Sequence, residues 1–382
     1  MEGLLVPEVG REAEKLVRRL VDAQMRGADG IEDAIRRARP LVRGEEFRLS
    51  LAQMDGRLDV DQAGLARTAL AERVIMGMLD QVGRDHHARY GQVAGGSMVV
   101  VALGKAGSRE MMAGSDLDLM LIYDHPETVT ESVLRGSPAV QEVRSGSQDV
   151  RRRSLPVSQY YIRLAHSLIA ALSAPGAEGP LYALDMRLRP SGGKGPVAVS
   201  LAAFERYHAE RSWTWERMAL SRARVVAGPR PPRKRVEGAI QAAINKAEPP
   251  RLALLRDACA MRARIALELP PQSRWDVKLR EGGLMEVEFI AQVLQLASHD
   301  AVRIHPTTRI ALRRLAQSRT MTRAGAATLI EADRFWRVVP NRIRSMLCTA
   351  RQKRSASISV AASARVIVLL CARRRSAIRV VG

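Results

Sequence analysis

The sequence predicts an α+β fold in which a small sheet sits between helical regions. Three observations predict it. Residues 1–90 carry apolar side chains at spacings of three and four, the signature of packed helices. The stretch 99–123 begins as a short apolar run, breaks into a Gly/Ser-rich loop and ends as an alternating strand. Helical spacing returns beyond the Pro-rich break Gly228–Pro232. The expected domains are a helical N-terminal region over 1–90, a central α/β domain over 91–228, an all-α bundle over 233–340 and an atypical basic tail over 341–382.

The 382 residues suffice for two or three domains with a sizeable core. No apolar run reaches the length of a membrane span, and the N-terminus lacks a signal pattern. Cys259, Cys348 and Cys371 are scattered and odd in number. They indicate neither a disulfide framework nor a zinc site, and a reducing cytoplasm fits. The net charge of +21 invites a nucleic-acid reading. Its distribution disfavours one: residues 334–382 hold twelve of the 61 basic residues and none of the 40 acidic ones, leaving 49 against 40 before them. That body is moderately basic, as suits a protein handling polyphosphates.

Within 1–90, Glu12–Met25 and Leu65–Val82 show the clearest helical spacing, with Asp61 placed to cap the second. Residues 126–157 form a polar connection, in which Arg151–Arg153 is a solvated loop or a phosphate contact. Ser158–Ser173 resumes helical spacing, with Tyr161, Leu164, Leu168 and Leu172 on one face and Pro175-Gly176 as the stop. Leu181–Pro190 reads as a strand with Leu184, Met186 and Leu188 on one side and Asp185, Arg187 and Arg189 on the other. Ser191–Pro196 is a flexible loop. Ser200 is placed to cap a helix over 201–210, and Trp213–Glu216 opens another that continues through Arg222 and Arg224. The remaining helices are expected at 236–246, 251–268, 284–298, 307–317 and 322–337, with a strand or turn at Trp275–Gly283.

The chemistry concentrates at Gly114-Ser115-Asp116-Leu117-Asp118. Side chains at i and i+2 on a strand point the same way, so Asp116 and Asp118 project together. Two adjacent carboxylates repel unless a cation lies between them, and a hard dication is the natural one. Asp185 supplies a third carboxylate and Arg187 and Arg189 two guanidiniums. The competing explanation is a surface turn with incidental acids. A Gly-Ser turn followed by Asp-x-Asp, with a later third Asp, resembles the polymerase-β-like nucleotidyltransferases. In that arrangement the glycine turn approaches a phosphate and the carboxylates hold two Mg²⁺ ions.

Further motifs follow in order: Gly104-Lys105-x-Gly107-x-Arg109-Glu110, Ser158-Gln-Tyr-Tyr161, Asp185-Met-Arg-Leu-Arg-Pro190, Gly195-Pro196 and Trp213-Thr-Trp-Glu216. Together they closely resemble the glutamine synthetase adenylyltransferase family, over about residues 45–340. Trp275–Leu279 and Gly282–Ile290 are similar to that family's helical segment beyond the catalytic domain. The resemblance implies a polymerase-β-like catalytic domain that moves AMP from ATP to a tyrosine of glutamine synthetase. Mg²⁺ is the implied metal, and the PII signalling protein a candidate regulatory partner. It assigns Asp116, Asp118 and Asp185 as metal-binding catalytic residues, and Gly114, Ser115, Lys105, Arg187 and Arg189 as nucleotide-binding ones. Family members commonly carry two catalytic halves, one adding AMP and one removing it by phosphorolysis. Trp213–Glu216 and the Met186–Gly192 segment look more like the adding half. The chain is therefore expected to be a single half that starts inside a longer architecture. Phosphorolytic removal, or an inactive piece that only docks on glutamine synthetase or PII, are the alternatives.

Two departures stand out. Ala106 and Ser108 replace the usual Leu and Gly of the loop, both with small residues. Beyond Pro340 the family's helical pattern is lost, and a tail that is out of frame or otherwise replaced is expected, with a basic tail for nucleic acid or an acidic membrane surface as the rival. Arg109 and Lys194 are each a triphosphate contact or a solvated side chain. Trp213 and Trp215 cannot both face one core from a helix, so one is expected at a surface. Glu216 is expected to orient an Arg, and Glu286 and Glu288 to pair with basic residues of the central domain. His166, His208 and His299 show no ligand spacing and read as core or surface residues.

Overall fold

The structure, a computed structural model, describes residues 11–134, 153–176, 179–246, 250–273, 276–298 and 304–349. The chain divides into two compact units, Met1–Lys246 and Ala247–Gly382.

In the first unit three helices, α1 (Arg11–Arg26), α2 (Gly30–Met54) and α3 (Val60–Tyr90), precede strand β1 (Ser97–Ala102). A single turn of helix, α4 (Gly104–Gly107), leads through the acidic loop into β2 (Leu117–Asp124). After α5 (Val157–Leu172) come the short β3 (Leu184–Asp185) and β4 (Ala198–Ser200), α6 (Leu201–Glu210), α7 (Thr214–Leu220), β5 (Arg224–Ala227) and α8 (Arg230–Ile244). The sheet is mixed. β1 runs antiparallel to β2 on one side and to β5 on the other. The free edge of β2 is shared in succession by β3, at Leu117 and Asp118, and β4, at Leu121 to Tyr123, both parallel.

Strand parity decides what faces what. Met98, Val100 and Ala102 of β1 and Leu117, Leu119, Leu121 and Tyr123 of β2 join one core with Val17, Leu70, Val74, Met78, Leu164 and Leu168. Asp118 belongs to the other parity, with Met120 and Ile122. The N-terminal helices thus share a core with the sheet rather than forming a separate region over 1–90. The unit boundary also differs from the expected 228–233. Pro231 and Pro232 lie in the first turn of α8, where the missing N–H groups have no intrahelical partner to lose. α8 then packs on β1 and β5.

Three other local expectations are corrected. Asp59, not Asp61, caps α3: its Oδ1 accepts from Gln62 N at 2.7 Å, and the Gln62 side chain accepts from Asp59 N at 2.9 Å, a capping box. The segment after Trp213 is not one helix through Arg224, because Arg224–Ala227 pairs with β1. The strand expected over 181–190 shrinks to two residues, because the Asp185 carboxylate accepts from Arg187 N at 2.8 Å and turns the chain. Ser200 caps α6 as expected, accepting from Ala203 N at 3.2 Å.

The second unit is helical: α9 (Arg251–Glu268), α10 (Leu284–Ala297), α11 (Thr308–Gln317) and α12 (Arg323–Thr349). Glu286 pairs with Arg262 and Glu288 with Arg337, partners in their own unit. Around Asp276 the chain is a turn, with Asp276 Oδ1 accepting from Leu279 N at 2.9 Å. α12 continues through Pro340, beyond the expected end at 337. The tail from 350, Arg151, Arg152, Trp275 and His299 lie outside the described residues.

Replacing Asp59 with Ala should cost about 1 kcal/mol in urea unfolding, and Asp61→Ala no more than about 0.5 kcal/mol. A larger loss at Asp61 would contradict the cap.

Candidate active site

The acidic loop is built by a glycine and a serine. Gly114 has φ +71°, a left-handed conformation that favours glycine. Ser115 closes the turn: its N–H donates to Met112 O at 3.0 Å, and its Oγ accepts from Met112 N at 2.9 Å. The exposed Asp116 follows, then β2. Asp118 lies beside Asp185 in parallel register across β2 and β3. One carboxylate oxygen from each of Asp116, Asp118 and Asp185 lies within 4.8 Å of the others. The three predicted carboxylates are therefore brought together.

A residue whose role the motif alone did not disclose sits opposite. Gly104 has φ +51°, and a Cβ there would lie 2.0 Å from Asp118 Oδ2. Only glycine leaves room for that carboxylate. The α4 segment is fixed from beneath by a buried network. Arg222 Nη2 donates to Ser108 Oγ at 2.6 Å and to Glu110 Oε2 at 2.8 Å, with both charged side chains under 7% exposed (6% and 4%). Arg224 donates to Ala106 O at 2.9 Å and Gly107 O at 3.1 Å, and pairs with Glu72. The Ser108 hydroxyl, a departure from the family pattern, thus accepts a bond that glycine could not. Buried Arg and Glu far apart in sequence leave no local signal, which is why the motif that contains Glu110 does not disclose its pairing with Arg222.

Electrostatics separate the carboxylates. Burial, then the charges of Asp116 and Asp185, push Asp118 up to about 6, against Lys105 and Arg222. Asp185 is held below the usual carboxylate range, chiefly by the Arg187 side chain. Arg187 Nε lies 3.0 and 2.9 Å from the two Asp185 oxygens, and Nη2 lies 2.5 Å from Oδ2. Arg189 turns instead to backbone, donating to Met186 O and to Gly195 O at 3.2 Å. It clasps the Ser191–Gly195 loop, while its charge still lowers the Asp185 pKa. Lys194 is exposed at the end of a short 3₁₀ turn, and Arg109 adopts φ +62°.

Trp213 is 67% exposed, while Trp215 is half-buried. Glu216 does not orient an Arg. It accepts from Tyr207 Oη at 2.8 Å and from Trp213 N at 2.9 Å. His208 is buried and lowered to about 4 by desolvation, and His166 is exposed.

The donor set fits a hard divalent cation. Three carboxylate oxygens converge, Gly104 keeps the space beside Asp118 clear, and positive charge would relieve the crowding that pushes Asp118 up. Fold and site thus define an α+β protein with an acidic, cation-competent centre. Comparison with known proteins is more specific. Residues 6–239 match the family described as glutamate-ammonia ligase adenylyltransferase, and the chain belongs to that family, a family of nucleotidyltransferases. Residues 260–361 match the GlnD PII-uridylyltransferase family. That match passes Pro340, where the sequence alone loses the family's pattern. Among similar proteins are the bifunctional glutamine synthetase adenylyltransferase/adenylyl-removing enzymes of three bacteria. That of Brucella suis biovar 1 is 39% identical over 78% of this chain and 29% of its own. The Mesorhizobium japonicum protein is 40% identical over 72% and 26%, and that of Caulobacter vibrioides 41% identical over 81% and 29%. The chain therefore spans under a third of the length of these relatives. Among the described residues no helix is long and apolar enough to cross a membrane.

Because its folded-state pKa lies above its unfolded value of 3.8, Asp118 withdraws stability as pH rises from about 4 through about 6. In cation-free buffer at pH 7, Asp118→Asn should therefore gain about 1–2 kcal/mol in urea unfolding. The gain should vanish near pH 4. A variant less stable than wild type at pH 7 would contradict the assignment.

Proposed function

We propose that this chain transfers AMP from ATP to a tyrosine hydroxyl of glutamine synthetase, releasing pyrophosphate, on a polymerase-β-like domain with Mg²⁺. The observation that carries the reading is the convergence of Asp116, Asp118 and Asp185 beside the Gly114 turn. Asp116 and Asp118 would hold the metal from one strand end and Asp185 from its neighbour. Mg²⁺ bound there supplies Lewis acidity, which offsets phosphate charge and favours ionisation of a phenol of pKa about 10. Asp185 orients the tyrosine hydroxyl and accepts its hydrogen bond. Gly114 and Ser115 receive the terminal phosphates, through the Gly114 backbone N–H and the Ser115 hydroxyl proton. Lys105, Arg187 and Arg189 offset their charge. The tyrosine oxygen forms its bond to the α-phosphorus as the bond to the β-phosphate bridge breaks. The phenolic proton leaves toward Asp185 and solvent.

The relatives' names join addition and removal, so the same centre is also a candidate for phosphorolytic removal. The Trp213–Glu216 and Met186–Gly192 segments favour addition. The match of residues 260–361 to a PII-uridylyltransferase family supports a link to PII.

Incubation with glutamine synthetase, Mg²⁺ and α-labelled ATP should label the synthetase. Asp116→Asn and Asp118→Asn should each reduce labelling about 100-fold or more. Gly104→Ala should do likewise, by displacing the Asp118 carboxylate. Near-normal labelling in the Asp variants would overturn the site. Absence of labelling, with AMP release from adenylylated synthetase on adding phosphate, would assign the removing direction.

A further inference from the structure

The geometry points to Arg187 as the internal counter-cation of the acidic centre: its guanidinium holds Asp185 until a divalent cation and a nucleoside triphosphate enter together, and then passes to the triphosphate. This rests on the reading of Asp116, Asp118 and Asp185 as cation ligands.

Three observations carry it. First, Arg187 saturates Asp185. Oδ1 receives both the backbone N–H at 2.8 Å and Nε at 3.0 Å, while Oδ2 receives Nε at 2.9 Å and Nη2 at 2.5 Å. A cation that takes Asp185 as a ligand must displace the guanidinium from at least one oxygen. Second, the carboxylate that Arg187 grips has an oxygen within 4.8 Å of oxygens of Asp116 and Asp118, so the guanidinium is held at the acidic centre itself. It is the positive charge that the three carboxylates need when no dication is present.

Third, Arg187 is free to leave. Its side chain is 82% exposed, so a change of partner requires no repacking. The other two guanidiniums close to the site differ. Arg189 is spent on the backbone carbonyls of Met186 and Gly195, and Arg222 is buried against Glu110 and Ser108. A triphosphate offers Arg187 a partner of the same charge-assisted, forked geometry as the carboxylate it gives up. Removal of the guanidinium from Asp185 then frees a ligand for the cation. Nucleotide and cation therefore assist one another through Arg187, and the assistance is reciprocal.

The test uses the full chain with Mn²⁺ as the probe, counted by electron paramagnetic resonance with and without α,β-methylene-ATP. Wild type should bind Mn²⁺ weakly alone and more tightly with the analogue. Arg187→Gln should bind Mn²⁺ alone about three- to tenfold more tightly than wild type, and the analogue about tenfold more weakly. Arg187→Lys, which keeps the charge but loses the fork, should fall between. A purely structural role would weaken both ligands together. Tighter Mn²⁺ binding with weaker nucleotide binding supports the exchange. Mn²⁺ binding to nucleotide-free Arg187→Gln that is unchanged or weaker overturns it, provided Asp118→Asn abolishes Mn²⁺ binding to wild type. If Asp118→Asn leaves Mn²⁺ binding intact, the cation site itself fails and the exchange with it.

Discussion

Repulsion among three carboxylates is the constraint around which the first unit is arranged. Asp116, Asp118 and Asp185 meet within 4.8 Å at one end of the sheet, a concentration of charge that opposes folding unless something answers it. The protein answers in part with protons and in part with cations. Asp118, the most enclosed, is pushed up to about 6, and Asp185 stays ionised because Arg187 grips it. A centre of converging carboxylates draws positive charge toward it. Here the charge missing is positive and the ligands are hard oxygens.

The scaffold that keeps this centre open is mostly backbone. Gly104 must lack a side chain for Asp118 to occupy its place, and Gly107 must lack one because a Cβ would fall 2.1 Å from Arg222 O. These close approaches are fixed by Arg222 and Arg224, which tie β5 and the residues just before it to the α4 segment. Removing one member of such a buried pair leaves an unanswered charge, which costs more than the pair itself contributes. The long N-terminal helices serve the same end, since their apolar faces cover the sheet face opposite Asp118.

What the sequence disclosed was what local chemistry controls. The i, i+2 parity placed Asp116 and Asp118 together, Ser200 announced α6, and the apolar stripe of Tyr161, Leu164, Leu168 and Leu172 gave α5 to within a residue at each end. What it concealed depended on distant partners. Arg224 reads as helical until β1 offers an edge to pair with. Pro231 and Pro232 read as a break until α8 starts in front of them. Asp185 bends its own chain, so a strand that should have carried Asp185, Arg187 and Arg189 on one face ends at its first functional residue. The three carboxylates were legible; the way the basic residues divide among them was not.

That division follows from burial. Arg222, Arg189 and Arg187 carry the same charge within one site, yet their surroundings fix different tasks. A guanidinium sealed against Glu110 and Ser108 cannot exchange partners without exposing a buried carboxylate, so Arg222 is committed to holding the loop. Arg189 satisfies two carbonyls and shapes the segment after Asp185. Of the three, Arg187 is the one whose side chain lies in water, so it can exchange partners without uncovering a buried charge. An exposed, replaceable cation on a metal-competent carboxylate is poorly explained as a stabilising contact. It fits a group that waits for a phosphate.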